Sequence, residues 1–166
     1  GVIIKTIVTT EMIRKIADNY DVDVMDVLTG FKYIGEKMTE FEDDEREFIF
    51  GFEESYGYLV GTHARDKDAV IAAGLTAVMA LYYKDHGKSL YDRLKELREE
   101  YGYYMEDLKS IRLEGKSGQE KINSTIEFLR NEKAKELVGK KVAVFKDYCE
   151  QEIINYEKES KEEIDL

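Results

Sequence analysis

Three short apolar runs alternate with segments of helical period, and this alternation restricts the fold more than any other feature. Ile3–Thr9 (IIKTIVT), Val22–Leu28 and Glu47–Phe52 (EFIFGF) have the β-branched and apolar content of buried strands. Between them, Met12, Ile13, Ile16, Ala17 and Tyr20 recur at helical spacing, and Phe31–Phe41 carries a second helical pattern. Thr10 and Glu11 suit the cap and first-turn acid of the first helix. The chain holds no proline, so glycines and caps must mark its boundaries. Strands alternating with helices predict an α/β fold, a mixed sheet sandwiched by helices.

Beyond the third strand, Tyr56–Ala64 contains two glycines, two tyrosines and a histidine, and reads as a loop. Asp68 is placed to cap a helix running to Tyr83. That helix is apolar nearly all round, which predicts burial on most sides. Ser89-x-x-Asp92 is a capping box for a further helix. From Tyr103 the pattern changes. Leu108, Ile111 and Leu113 predict a strand, Ser117-x-x-Glu120 predicts a capped helix to about Asn131, and Lys141–Phe145 predicts a short strand. Glu150–Leu166 is polar, without period. So few strands do not close a core. Residues 1–102 are therefore expected to form one α/β domain, and residues 103–166 a truncated α+β segment.

Charge narrows the function classes. The 166 residues carry 25 Lys and Arg against 36 Asp and Glu, a net charge of −11, and both halves are acidic. That balance disfavours a nonspecific grip on nucleic acid or an anionic membrane. No apolar run approaches the ~20 residues of a membrane helix, and no basic, then apolar leader opens the chain. The single Cys149 permits no internal disulfide and no multi-cysteine zinc site. A cytoplasmic location is the expectation. His63 and His86 lack partners at metal spacing, and no P-loop, GxGxxG or GxSxG occurs.

The residues that can carry chemistry cluster where the third strand ends. Glu53-Glu54-Ser55 stands at its C-terminal tip, where open α/β sheets hold ligands. Alternation sends Glu53 and Ser55 to one side and Glu54 to the other. A carboxylate beside a hydroxyl can bind the vicinal hydroxyls of a sugar, and equally can be a solvated strand exit that supports no core. Arg65-Asp66-Lys67-Asp68 reads either as a surface ion-pair cluster or as a loop whose Lys67 offers a cation to phosphate near a helix N-terminus. Thr29-Gly30-x-Lys32 has the same ambiguity.

In order, Lys5–Thr10 (KTIVTT), Thr29–Gly35 (TGFKYIG), Gly51–Gly57 (GFEESYG) and Arg65–Val70 (RDKDAV) resemble the third domain of the α-D-phosphohexomutases, most closely its bacterial phosphoglucomutase branch. Residues 103–166 resemble the start of the fourth domain. The resemblance implies a hexose phosphate substrate and interconversion of glucose 1-phosphate and glucose 6-phosphate through a phosphoserine and a glucose 1,6-bisphosphate intermediate. It implies Glu53 and Ser55 as sugar contacts, Thr29 as a turn contact and Lys67 as a cationic contact. The family's phosphoserine loop, Mg2+ loop and C-terminal phosphate clamp have no counterpart here. The chain is thus expected to hold no catalytic or metal residue of its own and to work with missing domains of the same enzyme. A phosphomannomutase or phosphopentomutase-type member is the near alternative; a non-catalytic acidic α/β interaction domain is the distant one.

Overall fold

A computed structural model describes residues 1–43, 45–107 and 112–164. The chain divides into two units, residues 1–107 and residues 108–165.

In the first unit the expected strands form as β1 (Val2–Thr6), β2 (Asp23–Val27) and β3 (Phe48–Glu53), with a fourth, β4 (Gly57–Val60). The sheet order is β2-β1-β3-β4. β1 runs parallel to both neighbours, and β4 returns antiparallel to β3 with Glu53 opposite Gly57. The sheet is mixed, as expected: parallel through β2, β1 and β3 and antiparallel at β4. The segment read as a loop is thus partly a strand. Its period-2 pattern buries Gly57 and Leu59 and leaves Tyr58 exposed, and the glycines concealed it.

Alternation along β1 sorts its side chains. Val2 and Ile4 join Val27, Phe48 and Leu59 in a core closed by Phe31, Ile34 and Met38 of α2 (Phe31–Glu40) and by Phe41. Lys5 points to the opposite face and is fully buried. Its Nζ lies 3.0 Å from Glu11 Oε1 and 3.0 Å from Asp26 Oδ1, the latter an ion-pair contact without hydrogen-bond alignment. Arg14 of α1 (Met12–Asp18) reaches the other Asp26 oxygen at 2.6 Å. A buried ammonium must be matched by carboxylates, so this cluster fixes α1 against β1 and β2.

α3 (Ala69–Asp85) departs from expectation. Asp68 does cap it, accepting from the Val70 and Ile71 amides. Yet none of its residues is buried: Val70 is 83% exposed, Val78 66% and Leu81 61%. Within this unit the helix lies against β4 and α4 (Leu90–Tyr101), and these can cover only part of its circumference. The Ser89–Asp92 capping box forms with both reciprocal bonds.

In the second unit, α5 (Gly115–Glu132) precedes a hairpin of β5 (Glu136–Leu137) and β6 (Lys140–Lys141), then an antiparallel sheet of β7 (Val144–Asp147), β8 (Glu152–Asn155) and β9 (Ser160–Glu163). Three readings need correction. α5 starts ahead of Ser117, with Glu114 at its N-cap position and no side-chain cap, so the second capping box does not exist. The strand over Lys141–Phe145 is broken at Val142–Ala143, and the polar tail holds two strands. Their hydrogen bonds need no apolar period. The strand expected over Leu108–Leu113 falls on residues 108–111, outside those described, and Leu113 is in no strand. Charged contacts tie the unit: Arg130 to Asp147 at 2.6 Å and Lys133 to Glu152 at 2.6 Å.

Candidate functional site

Because β1, β2 and β3 are parallel, their C-terminal ends share one edge of the sheet, and Thr6, Thr29 and Glu53 emerge there. Glu53 closes β3 and is only 3% exposed, which corrects the picture of a solvated strand tip. Its Oε1 accepts from Ser55 Oγ at 3.0 Å and from Lys67 Nζ at 2.5 Å. A buried carboxylate oxygen needs such donors to replace the water it has lost. The Glu53 bond, foremost, raises the Lys67 pKa above its ordinary value; desolvation is the next influence and opposes the rise, while the charges of Glu53, Asp66 and Glu54 add to it. The Lys67 side chain remains 48% exposed, so its cation faces solvent on one side while bonded to Glu53 on the other.

Local structure explains the convergence. The link between β3 and β4 is three residues long, Glu54, Ser55 and Tyr56, and Tyr56 takes a left-handed φ of 63° to close it. Gly57 is required by close approach: a Cβ there would stand 2.6 Å from Glu53 Cγ and 2.8 Å from its Oε1. The loop carrying Lys67 is pinned at both ends. A Cβ on Gly35 of α2 would meet the Arg65 carbonyl oxygen at 2.5 Å, so glycine lets helix and loop touch. Arg65 also pairs with Glu42 and donates to the Thr62 carbonyl at 2.8 Å. On the far side the Asp68 amide bonds the Tyr58 carbonyl at 2.8 Å, and Asp68 Oδ2 lies 2.9 Å from His63 Nε2.

Glu53, Ser55 and Lys67 thus form one cluster. Thr29 does not join it; exposed in the turn ahead of α2, it shares the edge but is separated from Glu53 by β1. Glu54 takes the other direction, as alternation requires, and its Oε2 accepts from Thr6 Oγ1 at 2.9 Å. Gly57 and Thr6 are contributors the sequence reading missed. The Glu53-x-x-x-Gly57 spacing was the available signal for the first.

Residues 1–101 match the family described as phosphoglucomutase/phosphomannomutase, alpha/beta/alpha domain III. The chain belongs to that family. A domain III of the phosphoglucomutase/phosphomannomutase family accounts for the α/β architecture and for most of this chain. The phosphoglucomutase of Staphylococcus haemolyticus (strain JCSC1435) is 38% identical over 163 residues, 98% of this chain and 29% of that protein. The phosphoglucomutase of Staphylococcus aureus (strain MRSA252) is 36% identical over 162 residues, again 98% of this chain and 29% of its own length. A solved Thermus thermophilus chain described as a phosphomannomutase overlaps 61% of this chain and 22% of itself, at 24% identity and a TM-score of 0.49. The chain spans about 29% of the length of the curated relatives it matches.

Among the described residues no group of three or more His, Cys, Asp or Glu side chains could hold a metal ion. No described helix is long and apolar enough to cross a membrane.

Proposed function

We propose that this domain III reads the sugar in a cytoplasmic phosphoglucomutase that interconverts glucose 1-phosphate and glucose 6-phosphate by way of glucose 1,6-bisphosphate. Residues 1–102 are the sugar-binding domain, and residues 103–166 begin the domain that follows. The phosphoserine, Mg2+ and phosphate clamp belong to other parts of the enzyme, and no step here runs through them.

The observation that carries this reading is the convergence of Ser55 and Lys67 on one oxygen of a buried carboxylate, at the ligand-binding edge of the sheet. Each member can change partner when a sugar arrives. A sugar hydroxyl can donate to Glu53, Ser55 can turn its proton from Glu53 to a sugar oxygen, and the half-exposed Lys67 can meet the anionic end of the substrate. A site that must hold a hexose in two orientations needs such bidirectional groups, and vicinal hydroxyls offer each of them the same partners after reversal. Thr29 completes the edge on the β2 side as a turn contact. The curated relatives named above are phosphoglucomutases, which favours glucose over mannose.

The exposed apolar sides of α3 fit a chain that works with further domains, and we assign their cover to those domains. A coupled assay with glucose 1-phosphate, Mg2+ and catalytic glucose 1,6-bisphosphate tests the proposal. A full-length protein containing this segment is expected to turn over, and the 166-residue chain alone to match the blank. Turnover by the isolated chain that survives repurification, or none by the full-length protein, would overturn it.

A further inference from the structure

Thr6 is fully buried at the end of β1, and a buried hydroxyl must find partners. It has two on one atom: Thr6 Oγ1 lies 2.6 Å from Thr9 Oγ1 and 2.9 Å from Glu54 Oε2. A carboxylate oxygen accepts, and Thr6 at 2.9 Å is a much closer donor to Glu54 than Thr9 Oγ1 at 3.5 Å; with its single proton spent on Glu54, Thr6 accepts from Thr9. The result is a directed chain, Thr9 to Thr6 to Glu54. Its rear is fixed, because the Thr9 amide bonds the Thr6 carbonyl at 3.0 Å and the buried Lys5 ammonium bonds the Thr9 carbonyl at 3.1 Å.

We propose that Thr6 is a positioning residue for the sugar-reading loop, acting through Glu54. This rests on the reading of Glu53 and Ser55 given above. Glu54 lies between those two residues, at the start of the three-residue link. Holding its carboxylate on β1 fixes the peptide planes on either side, and Glu53 and Ser55 then face the opposite way, towards ligand. Without the tether, Glu54 keeps only the long, exposed contact from Thr9 Oγ1 at 3.5 Å; its carboxylate can swing into solvent, and the backbone under both sugar contacts moves with it. Misplacement of about 1 Å at a positioning group can cost as much as about 100-fold in rate.

The test uses a full-length mutase containing this segment, with kcat and KM for glucose 1-phosphate measured well below the melting temperature. Thr6→Val keeps the shape and removes the hydroxyl; Thr6→Ser keeps the hydroxyl. Thr6→Val is expected to lower kcat/KM by about 3- to 20-fold, a fraction of the loss for a direct charged contact. Thr6→Ser should stay within about twofold of wild type. Because Thr6 acts through Glu54, Thr6→Val combined with Glu54→Ala should lose no more than the worse single variant. Additive losses, wild-type kinetics in Thr6→Val, or equal damage in Thr6→Ser would overturn the proposal. If Thr6→Val does not fold, Thr9→Val, at a half-buried position, is expected to give a smaller loss that Glu54→Ala again masks; additivity there overturns it equally. Glu53→Gln serves as the control. Its loss alongside an intact Thr6→Val removes only the tether, whereas wild-type kinetics in Glu53→Gln removes the site reading and the tether together.

Discussion

Lys67 Nζ stands 2.5 Å from Glu53 Oε1, joining an ammonium whose side chain is 48% exposed to a carboxylate that is 3% exposed. The two sides of this contact differ in what they can do. Glu53 cannot move without leaving Ser55 and Lys67, whereas the Lys67 side chain has solvent open to it on one side. The pair is therefore a fixed carboxylate with a partner that solvent reaches.

The raised Lys67 pKa gives a signed pH dependence. Its folded value lies above the ordinary lysine value of 10.5, chiefly because of the bond to Glu53. The stabilisation is therefore complete below that ordinary value and disappears as pH rises through the raised one. Melting curves from about pH 8 to pH 11.5 should show a decline for wild type that is shallower in Lys67→Met. Parallel declines in both proteins would show that the pair contributes nothing.

Two glycine substitutions should separate stability from function. Gly35→Ala drives a methyl against the Arg65 backbone oxygen, which cannot turn aside, and should cost about 1–3 kcal/mol in denaturant unfolding. Gly57→Ala brings a methyl within 2.6 Å of Glu53 Cγ and 2.8 Å of its Oε1, so the strain falls on the carboxylate and on its bonds to Ser55 and Lys67. It should leave the melting temperature within a few degrees and lower kcat/KM of the full-length enzyme as Glu53→Gln does.

Asp68 is held below the ordinary carboxylate pKa by His63 first and then by the Ile71 and Val70 amides at the start of α3. Its contribution is present above the ordinary value of 3.8 and is lost as pH falls through the depressed one. Asp68→Ala should lower the melting temperature by several degrees at neutral pH and flatten its fall under acid. An unchanged acid limb would contradict the cap's role.

In the 166-residue chain, Val78→Lys on the open side of α3 should change stability by no more than about 0.5 kcal/mol. Leu59→Ala, at a fully buried position, should cost about 2–5 kcal/mol. In the full-length protein Val78→Lys should become clearly destabilising. Neutrality there as well would mean that no domain covers this face.

The first three strands, α1, α2 and the Asp68 and Ser89 caps were legible because each depends on residues close in sequence: an apolar run, a period, a cap. β4 was not, since Gly57 and Gly61 read as punctuation and the short Tyr58-Leu59-Val60 run between them shows no alternation in sequence. The strands at Glu152–Asn155 and Ser160–Glu163 are held by backbone pairing; the adjacent Ile153 and Ile154 do not alternate and the second strand is wholly polar, which leaves no period to find. The direction of Glu53 and Ser55 against Glu54 followed from alternation alone. The burial of Glu53 did not, because it depends on Gly57 and Lys67, brought in by a hairpin and a loop. The exposure of α3 was equally hidden: its apolar composition speaks of a covered helix, and what is present in its unit covers only part of it.

The most direct measurement of the central claim is steady-state kinetics on Glu53→Gln, Ser55→Ala and Glu54→Gln in a full-length mutase containing this segment. A charge-assisted bond of roughly 1.5–3 kcal/mol makes the expected fall in kcat/KM about 10- to 150-fold for Glu53→Gln. A neutral bond makes it about 2- to 12-fold for Ser55→Ala. Glu54→Gln, which keeps an oxygen for Thr6, should fall least of the carboxylate variants. Wild-type kcat/KM in Glu53→Gln, or a larger loss in Glu54→Gln, would contradict the assignment of Glu53 as the residue that holds the sugar.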